Sequence, residues 1–278
     1  MLKKNWAVKS LIKIIFSDMD GTLLDDRSQL PADFDKVMLE LKERNVIFAP
    51  ASGRQYFSLL RSFGKYEDDF LFVAENGTLV MQHRKEIFSK PMLRAEADEV
   101  LAACDDWKNI FRVYCGKRSA YYLESQATPE NLVEFEKYFT KNTAVKSFAE
   151  VDDAPLKMSF FDITGNAAEF TYPKLRAAFE GPLQVDLSSN QWVDVMSANV
   201  SKGVAIQNVQ RLLGIKPEEC AAFGDYLNDY SMMKAVGHSF AMANAHPDLK
   251  KIARYETVSN NEAGVLAGIR RLIDEGLI

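Results

Sequence analysis

The sequence predicts an α/β fold, a doubly wound and mostly parallel sheet interrupted by an inserted α+β cap domain. Apolar strands alternate with helical stripes near both ends of the chain, and this alternation stops in the middle. Strands joined through helices take right-handed crossovers and build a parallel sheet. With 278 residues, 47% of them hydrophobic and 26% charged, the chain is long enough for one large or two modest globular domains.

The N-terminal elements follow the order strand, helix, strand, helix, strand. Leu11–Ser17 is apolar and β-branched, as in a buried strand, and Gly21 marks the turn after it. A helix comes next, and its apolar stripe consists of Phe34, Val37, Met38 and Leu41. Two further apolar strands, "VIFAP" and "FLFVA", flank a helix that ends at Gly64. We expect these strands to lie in one parallel sheet.

The pattern changes after about residue 84. The stretch "FRVYCGKRSAYYLE" predicts a hairpin around Gly116, and the later strands alternate in polarity, as in a sheet with one covered face. Strict alternation of helix and strand returns from Lys202. We therefore expect a discontinuous catalytic core, residues 1–84 and 196–278, around a cap domain, residues 85–195.

Acidic residues follow two of the predicted core strands. Asp18 and Asp20 come at the carboxyl end of the first strand, and they would point to one side if the strand persisted that far. Asp225 and Asp229 follow a later apolar strand and would share one face of a helix. An ordinary polar turn is the alternative for the first pair, and a helix N-cap is the alternative for Asp225. Ligands bind at carboxyl strand ends in open α/β sheets, so two such pairs favour a divalent cation.

Further polar residues suit an anion. In "ASGR", the hydroxyl of Ser52 and the amides of Gly53 and Arg54 could bind a phosphate oxygen, although a plain Ser-Gly turn fits equally well. Lys202 stands at the start of a helix, where a cation opposes the helix dipole and an anion would offset it. Asn76 lies in an Asn-Gly pair typical of a hairpin turn. Together with the acids, these residues predict metal-assisted phosphoryl transfer.

Four motifs in order, "DMDGTLL", "ASGR", "SKG" and "GDYLND", resemble those of the haloacid dehalogenase superfamily, specifically Cof-type phosphatases with an α/β cap. The resemblance spans nearly the whole chain. It implies that Asp18 attacks phosphorus and forms an aspartyl-phosphate, and that Asp20 acts as general acid and base. It implies that Mg²⁺ is held by Asp18, the backbone carbonyl of Asp20 and Asp225, with Asp229 in support.

The resemblance also implies phosphate and substrate ligands and a substrate class. The ligands are Ser52, Gly53, Arg54, Lys202 and Asn228. The substrate is a small phosphorylated metabolite, such as a sugar phosphate. Tyr226 departs from the family pattern, which commonly has a small or amide residue there. None of the histidines, His83, His238 and His246, matches a catalytic motif.

Composition restricts the partners and the compartment. A net charge of −5 gives no basic footprint for nucleic acid, and no apolar run approaches the roughly 18 residues of a membrane span. The three cysteines form no disulfide or zinc pattern, which favours the cytoplasm. Residues 1–9 are expected to be a short N-terminal extension. Nothing in the sequence indicates an oligomeric state.

Two other functions stay open. A phosphosugar mutase of the phosphomannomutase type would need cap cations for a second phosphate, and the available ones are Arg112, Lys117, Arg118 and Lys157. A non-catalytic phospholigand-binding protein is disfavoured because both Asp18 and Asp20 are present.

Overall fold

The computed structural model describes residues 11–278, so the predicted N-terminal extension lies outside the described residues. The strands are β1 (Ile14–Ser17), β2 (Ile47–Pro50), β3 (Leu71–Ala74), β4 (Leu79–Gln82), β5 (Lys85–Ser89), β6 (Ile110–Gly116), β7 (Ala120–Leu123), β8 (Asn142–Val145), β9 (Pro155–Asp162), β10 (Leu183–Leu187), β11 (Trp192–Ser197), β12 (Cys220–Gly224), β13 (His238–Ala241) and β14 (Tyr255–Glu256). The helices are α1 (Phe34–Glu43), α2 (Tyr56–Phe63), α3 (Arg94–Ala102), α4 (Pro129–Tyr138), α5 (Tyr172–Phe179), α6 (Lys202–Leu213), α7 (Tyr230–Lys234), α8 (Pro247–Ile252) and α9 (Gly264–Asp274).

The chain divides into two compact units. The first unit comprises residues 1–49 and 209–278, and the second comprises residues 50–208. These limits differ from the predicted domain boundaries near residues 84 and 196, which concern the functional division into core and cap and stay a prediction.

A sheet of strand order β14-β13-β12-β1-β2 forms the centre of the first unit. Strand β12 pairs in parallel with both β1 and β13, and β13 pairs in parallel with β14. The side chains of β1 and β12 are buried along the whole of both strands, as expected for a sheet covered by helices on both faces. The predicted apolar stripe of α1 is buried as a set. The doubly wound α/β fold class is therefore confirmed.

In the second unit a larger sheet has the strand order β10-β11-β9-β6-β7-β8. The predicted hairpin around Gly116 is present as the antiparallel pair β6 and β7. Neighbouring residues of β9 contribute to different buried clusters, since Phe160 lies in one and Phe161 in the other. Successive strand residues point to opposite faces, so both faces are covered and the expectation of one covered face was wrong. The cluster that contains Phe161 also includes Phe135 on α4 and Phe139 just after it, and these two residues cover that face of the sheet.

Strand β3 differs from its predicted place in the parallel sheet. It pairs antiparallel with β4 in a small sheet of order β3-β4-β5, and a single parallel bridge joins Val73 to Ala51 just after β2. The cause is the turn Glu75–Gly77, which reverses the chain at the Asn-Gly pair and makes β3 and β4 a hairpin. Among residues 11–278, no helix is both long and apolar enough to cross a bilayer.

Candidate functional site

Three aspartates meet at the carboxyl edge of the sheet in the first unit. Asp18 directly follows β1 and Asp225 directly follows β12, and these strands are parallel neighbours with Ser17 opposite Phe223. One carboxylate oxygen from each of Asp18, Asp225 and Asp229 lies within 4.8 Å of the others. We call these three residues the acid cluster. Asp18 is 7% exposed and Asp229 is fully buried, so their negative charges lie close together with little water to separate them.

The chain turns back after β12 to bring Asp225 and Asp229 together. Oδ2 of Asp229 accepts hydrogen bonds from the backbone N–H groups of Asp225 (3.0 Å) and Tyr226 (3.3 Å). A 3₁₀ turn covers Leu227–Asp229, and α7 begins only at Tyr230. The shared helical face expected for the two acids is therefore replaced by a tight turn that the Asp229 side chain itself closes.

Residues of the turn after β1 hold Asp225 from the other side. The hydroxyl of Thr22 donates to Oδ1 of Asp225 at 2.7 Å. Gly21 has φ +74°, and a Cβ on it would lie 2.4 Å from Oδ2 of Asp225. A side chain at this position would collide with the acid cluster, which explains why the motif carries glycine.

Asp20 lies outside the acid cluster as a side chain. Strand β1 ends at Ser17, so the alternation that would have placed Asp18 and Asp20 on one side does not extend to Asp20. Its side chain is exposed, whereas that of Asp18 is buried. An exposed carboxyl beside a buried one can reach solvent and an incoming group. The backbone carbonyl of Asp20 as a metal ligand stays a prediction.

In the second unit, Ser52–Arg54 forms a short segment after β2 that we call the 52–54 loop. Its backbone is fixed by the hairpin turn, since the N–H of Asn76 donates to the Ser52 carbonyl and the N–H of Glu75 donates to the Arg54 carbonyl, both at 3.0 Å. The N–H of Arg54 donates to the Ser52 hydroxyl at 3.1 Å. A Cβ on Gly53 would lie 2.8 Å from Oδ1 of Asn76, so this position also requires a small residue.

The residue before the predicted Lys202 lies next to the same hairpin turn in space, although it is far from the turn in the sequence. Lys202 is the first residue of α6, and its side chain is 1% exposed. A Cβ on Gly77 would lie 2.5 Å from the carbonyl oxygen of Ser201, the residue before Lys202. The second unit thus brings the 52–54 loop, the turn and the start of α6 together.

A buried ion pair reaches the 52–54 loop from the larger sheet. The ammonium of Lys157 on β9 lies 3.2 Å from Asp194 on β11, 3.2 Å from Glu75 and 2.8 Å from the Gly53 carbonyl oxygen. Burial alone would lower the pKa of Lys157, but the carboxylates of Asp194 and Glu75 raise it above its ordinary value. Burial raises the pKa of Glu75 to about 7, although Lys157 acts in the opposite direction.

Sequence reasoning missed Glu75 and Asp194 and named Lys157 only as a cap cation available for a second phosphate in a mutase. A signal existed in the residue pattern. Lys157 and Asp194 each interrupt an otherwise apolar strand, "PLKMSFF" and "WVDVM", and every residue of both strands is buried. A charge within a fully apolar strand indicates a buried partner, but it does not say which one.

The remaining predicted residues lie around the acid cluster. Asn228 is half-buried in the 3₁₀ turn between Asp225 and Asp229. Tyr226 is 39% exposed, and its ring packs edge-on against His246 with 5.9 Å between ring centres. The backbone N–H of His246 donates to the Asp225 carbonyl at 2.7 Å. His246 therefore contributes to the structure around Asp225.

Comparisons with known proteins agree with this arrangement. A family model described as haloacid dehalogenase-like hydrolase matches residues 15–269. The 5-amino-6-(5-phospho-D-ribitylamino)uracil phosphatase YbjI of Escherichia coli is 30% identical over 267 residues, which cover 94% of this chain and 96% of that protein. A solved structure from Streptococcus mutans superposes with a TM-score of 0.85 at 24% identity, covering 95% of this chain and 99% of the other.

A further solved structure is that of a sugar phosphatase of haloacid dehalogenase subclass IIB. It superposes with a TM-score of 0.77 at 21% identity and covers 96% of this chain and all of the other. At these identities the structural matches establish the fold. Because the family model spans almost the whole length, this chain belongs to the haloacid dehalogenase-like hydrolases, and the predicted enzyme class, a Cof-type phosphatase, is confirmed at the level of the family.

Proposed function

We propose that this enzyme is a Mg²⁺-dependent phosphatase that hydrolyses small phosphorylated metabolites through an aspartyl-phosphate on Asp18. The acid cluster carries the proposal. Three carboxylate oxygens within 4.8 Å, two of them on buried residues, form a donor set of hard oxygens that suits a small divalent cation.

The contacts of the three aspartates suggest different roles in metal binding. Asp18 and Asp225 would hold the ion together with the Asp20 carbonyl. Asp229 supports them, because one of its oxygens already accepts two backbone hydrogen bonds. When bound, Mg²⁺ would offset the negative charge of the phosphoryl oxygens and of Asp18.

The chemistry proceeds in two displacements. An oxygen of Asp18 attacks phosphorus, the bond from phosphorus to the substrate oxygen breaks, and Asp20 gives its proton to the leaving alkoxide. Asp20 then takes a proton from water, whose oxygen attacks phosphorus, releases inorganic phosphate and restores Asp18. Ser52, Gly53, Arg54, Lys202 and Asn228 bind the phosphoryl group or the substrate. The exposure of Asp20 fits a residue that exchanges protons with solvent and substrate.

Names of similar proteins support the substrate class. One relative is named as a phosphatase of a phosphorylated ribityl compound, and one structural neighbour is described as a sugar phosphatase. We extend this to phosphomonoesters of sugars and sugar-like metabolites for this chain. In the same proposal residues 85–195 are the cap that selects among them, the enzyme works in the cytoplasm, and nucleic acid is no partner.

Two of the four candidate cations of the mutase alternative are engaged within the protein. Lys157 contacts Asp194, Glu75 and the Gly53 carbonyl, and its side chain is 3% exposed. Arg112 is 8% exposed and donates to the Leu101 carbonyl and to Asp105. These contacts leave neither side chain in a position to receive a second phosphate.

The test is phosphate release from an aryl phosphate and a panel of sugar phosphates, with Mg²⁺ or with EDTA. We expect release that requires Mg²⁺ and differs among the sugar phosphates. Isomerisation of mannose or glucose phosphates without net release would establish the mutase instead. Tight, metal-dependent binding with neither reaction would establish the phospholigand-binding protein.

A further inference from the structure

The buried charged side chains of Lys157, Asp194 and Glu75 lie beside the 52–54 loop, and their contacts suggest that they position this loop. Lys157 and Asp194 lie on the neighbouring antiparallel strands β9 and β11. Their side chains are 3% and 4% exposed, and that of Glu75 is fully buried. Replacing a buried ion pair by apolar side chains is often neutral or stabilising, so stability alone is a weak reason for this cluster.

Lys157 joins the larger sheet to the 52–54 loop through one hydrogen bond. Its ammonium donates to the Gly53 carbonyl oxygen at 2.8 Å, and Asp194 and Glu75 surround the same ammonium. Asp194 is fixed in turn, because its Oδ2 accepts from the Asn76 amide (2.9 Å) and the Ser188 hydroxyl (2.6 Å). Lys157 is therefore held in one place with its charge compensated.

The carbonyls of the 52–54 loop are each occupied by the protein. The Ser52 carbonyl accepts from the N–H of Asn76, that of Gly53 from Lys157, and that of Arg54 from the N–H of Glu75. In a trans peptide the N–H points opposite to the C=O. Holding the Ser52 and Gly53 carbonyls toward these donors turns the N–H of Gly53 to the opposite side and keeps the N–H of Arg54 on the Ser52 hydroxyl, which fixes that hydroxyl beside the loop. Carbonyl oxygens repel an anion and N–H groups attract one.

Backbone strain in the hairpin turn is a second and independent observation. Glu75, Asn76 and Gly77 all have left-handed φ, at 51°, 55° and 94°. Non-glycine residues adopt this conformation at a cost and persist in it where surrounding contacts impose it, frequently at functional sites. Here the strained turn directs two successive N–H groups at carbonyls of the 52–54 loop.

We infer that Lys157, held by Asp194 and Glu75, is a positioning residue that orients the peptide groups of the 52–54 loop toward the phosphoryl group of the substrate. This rests on the proposed phosphatase function. Lys157 belongs to the predicted cap and Gly53 to the predicted core, so a cap strand helps to build the phosphate site. The contact concerns the phosphoryl group, which all substrates share, and it should act equally on each of them.

The test compares Lys157→Met with Lys174→Met, a matched control whose lysine lies over the rings of Phe170 and Trp107, away from this cluster. The measurements are the inhibition constant of inorganic phosphate and kcat and KM for three substrates with different leaving groups. In Lys157→Met we expect phosphate inhibition to weaken about tenfold or more, and KM to rise by one common factor, because a hydrogen bond to a charged group is lost. Lys174→Met should behave as wild type.

Three results decide the inference. Unchanged phosphate inhibition in folded Lys157→Met would overturn it, and so would a change in KM that differs widely among the substrates, because the residue would then act on specificity. If Lys157→Met does not fold, Asp194→Asn decides in the same way, because it keeps the side-chain shape while removing the charge that holds Lys157. A wild-type protein that releases no phosphate would instead reject the proposed function.

Discussion

Hydrogen bonds to single carboxylates decide how the acid cluster presents its oxygens. Thr22 donates to one oxygen of Asp225, and two backbone N–H groups occupy one oxygen of Asp229. Such outer contacts orient metal ligands and are commonly worth a large factor in metal affinity. The positions of the carboxylate oxygens in the acid cluster therefore depend on donors, the Thr22 hydroxyl and two backbone N–H groups, that would not themselves contact the ion.

Thr22→Val should lower the affinity for Mg²⁺ without abolishing phosphate release. The change keeps the shape of a buried side chain but removes the donor to Asp225. We expect the Mg²⁺ concentration for half-maximal phosphate release to rise about tenfold. A Mg²⁺ titration measures it, and Thr22→Ser, which keeps the hydroxyl, is the control. An unchanged Mg²⁺ requirement in Thr22→Val would show that the bond does not orient Asp225.

Glu75 should make stability depend on pH. Burial raises its pKa from an ordinary value of 4.5 to about 7, so folding favours the protonated form. A group whose pKa is higher in the folded protein than in the unfolded protein contributes its full stabilisation below the pKa of the unfolded state. That stabilisation is lost as the pH rises to the pKa of the folded state. The free energy of unfolding of wild type should fall relative to Glu75→Gln between about pH 5 and pH 8 by a few kcal/mol. Lys157 and Asp194 face Glu75 and remain in both proteins.

Denaturant unfolding of both proteins across this pH range measures the effect. A difference between them that stays constant would mean that Glu75 keeps the same charge throughout, and the pKa assigned here would be wrong.

At the scale of elements, strand ends and turns position the candidate residues within each unit. The ends of β1 and β12 bring Asp18 and Asp225 to one edge, and the hairpin turn after β3 fixes the 52–54 loop. Two glycines in connecting turns, Gly21 and Gly214, differ in how closely other residues approach them. Gly21 faces the acid cluster, whereas a Cβ on Gly214 would meet nothing within 4 Å, although both have positive φ.

Comparing alanine substitutions at Gly21 and Gly214 separates the effect of backbone strain from that of a steric clash with Asp225. Gly21→Ala and Gly214→Ala should each lose about 1 kcal/mol of stability, because alanine is strained at positive φ. Only Gly21→Ala should also lose most of its activity, because its Cβ displaces Asp225. Thermal unfolding and phosphate release measure the two effects. Equal activity in both variants would show that the close approach at Gly21 does not matter to the site.

Several elements were predictable because the signals are local. The start of α6 at Lys202 and the hairpin of β6 and β7 follow from the residue pattern, and Asp18 and Asp225 follow from strand ends. The pairing of β3 with β4 had a local signal in the Asn-Gly pair, but we expected β3 in the parallel sheet instead. The partners of Lys157 were not predictable. Lys157 meets Gly53 and Glu75 across a long stretch of chain, and no local pattern encodes that pairing. The tight turn between Asp225 and Asp229 was not predicted either, because it depends on the hydrogen bond from the Asp225 N–H to the Asp229 side chain.

At the scale of the whole molecule, metal binding and folding should be linked. A ligand that binds the folded state alone stabilises it by an amount set by its concentration and affinity. Mg²⁺ should therefore raise Tm by a few degrees at concentrations well above its Kd. Asp225→Asn should lose most of this rise, since it removes one charge from the acid cluster. A Mg²⁺ effect that survives in Asp225→Asn would place the ion elsewhere.

The roles of the aspartates are the central claim, and phosphate release by Asp18→Asn tests it most directly. The matched control is Asp33→Asn, which makes the same change at an exposed position before α1 whose side chain makes no capping hydrogen bond. With saturating Mg²⁺ and the best substrate of the panel, we predict that Asp33→Asn keeps the wild-type rate and that Asp18→Asn falls by a factor on the order of 10³ or more. An Asp18→Asn protein that is folded and releases phosphate at near the wild-type rate would contradict the account.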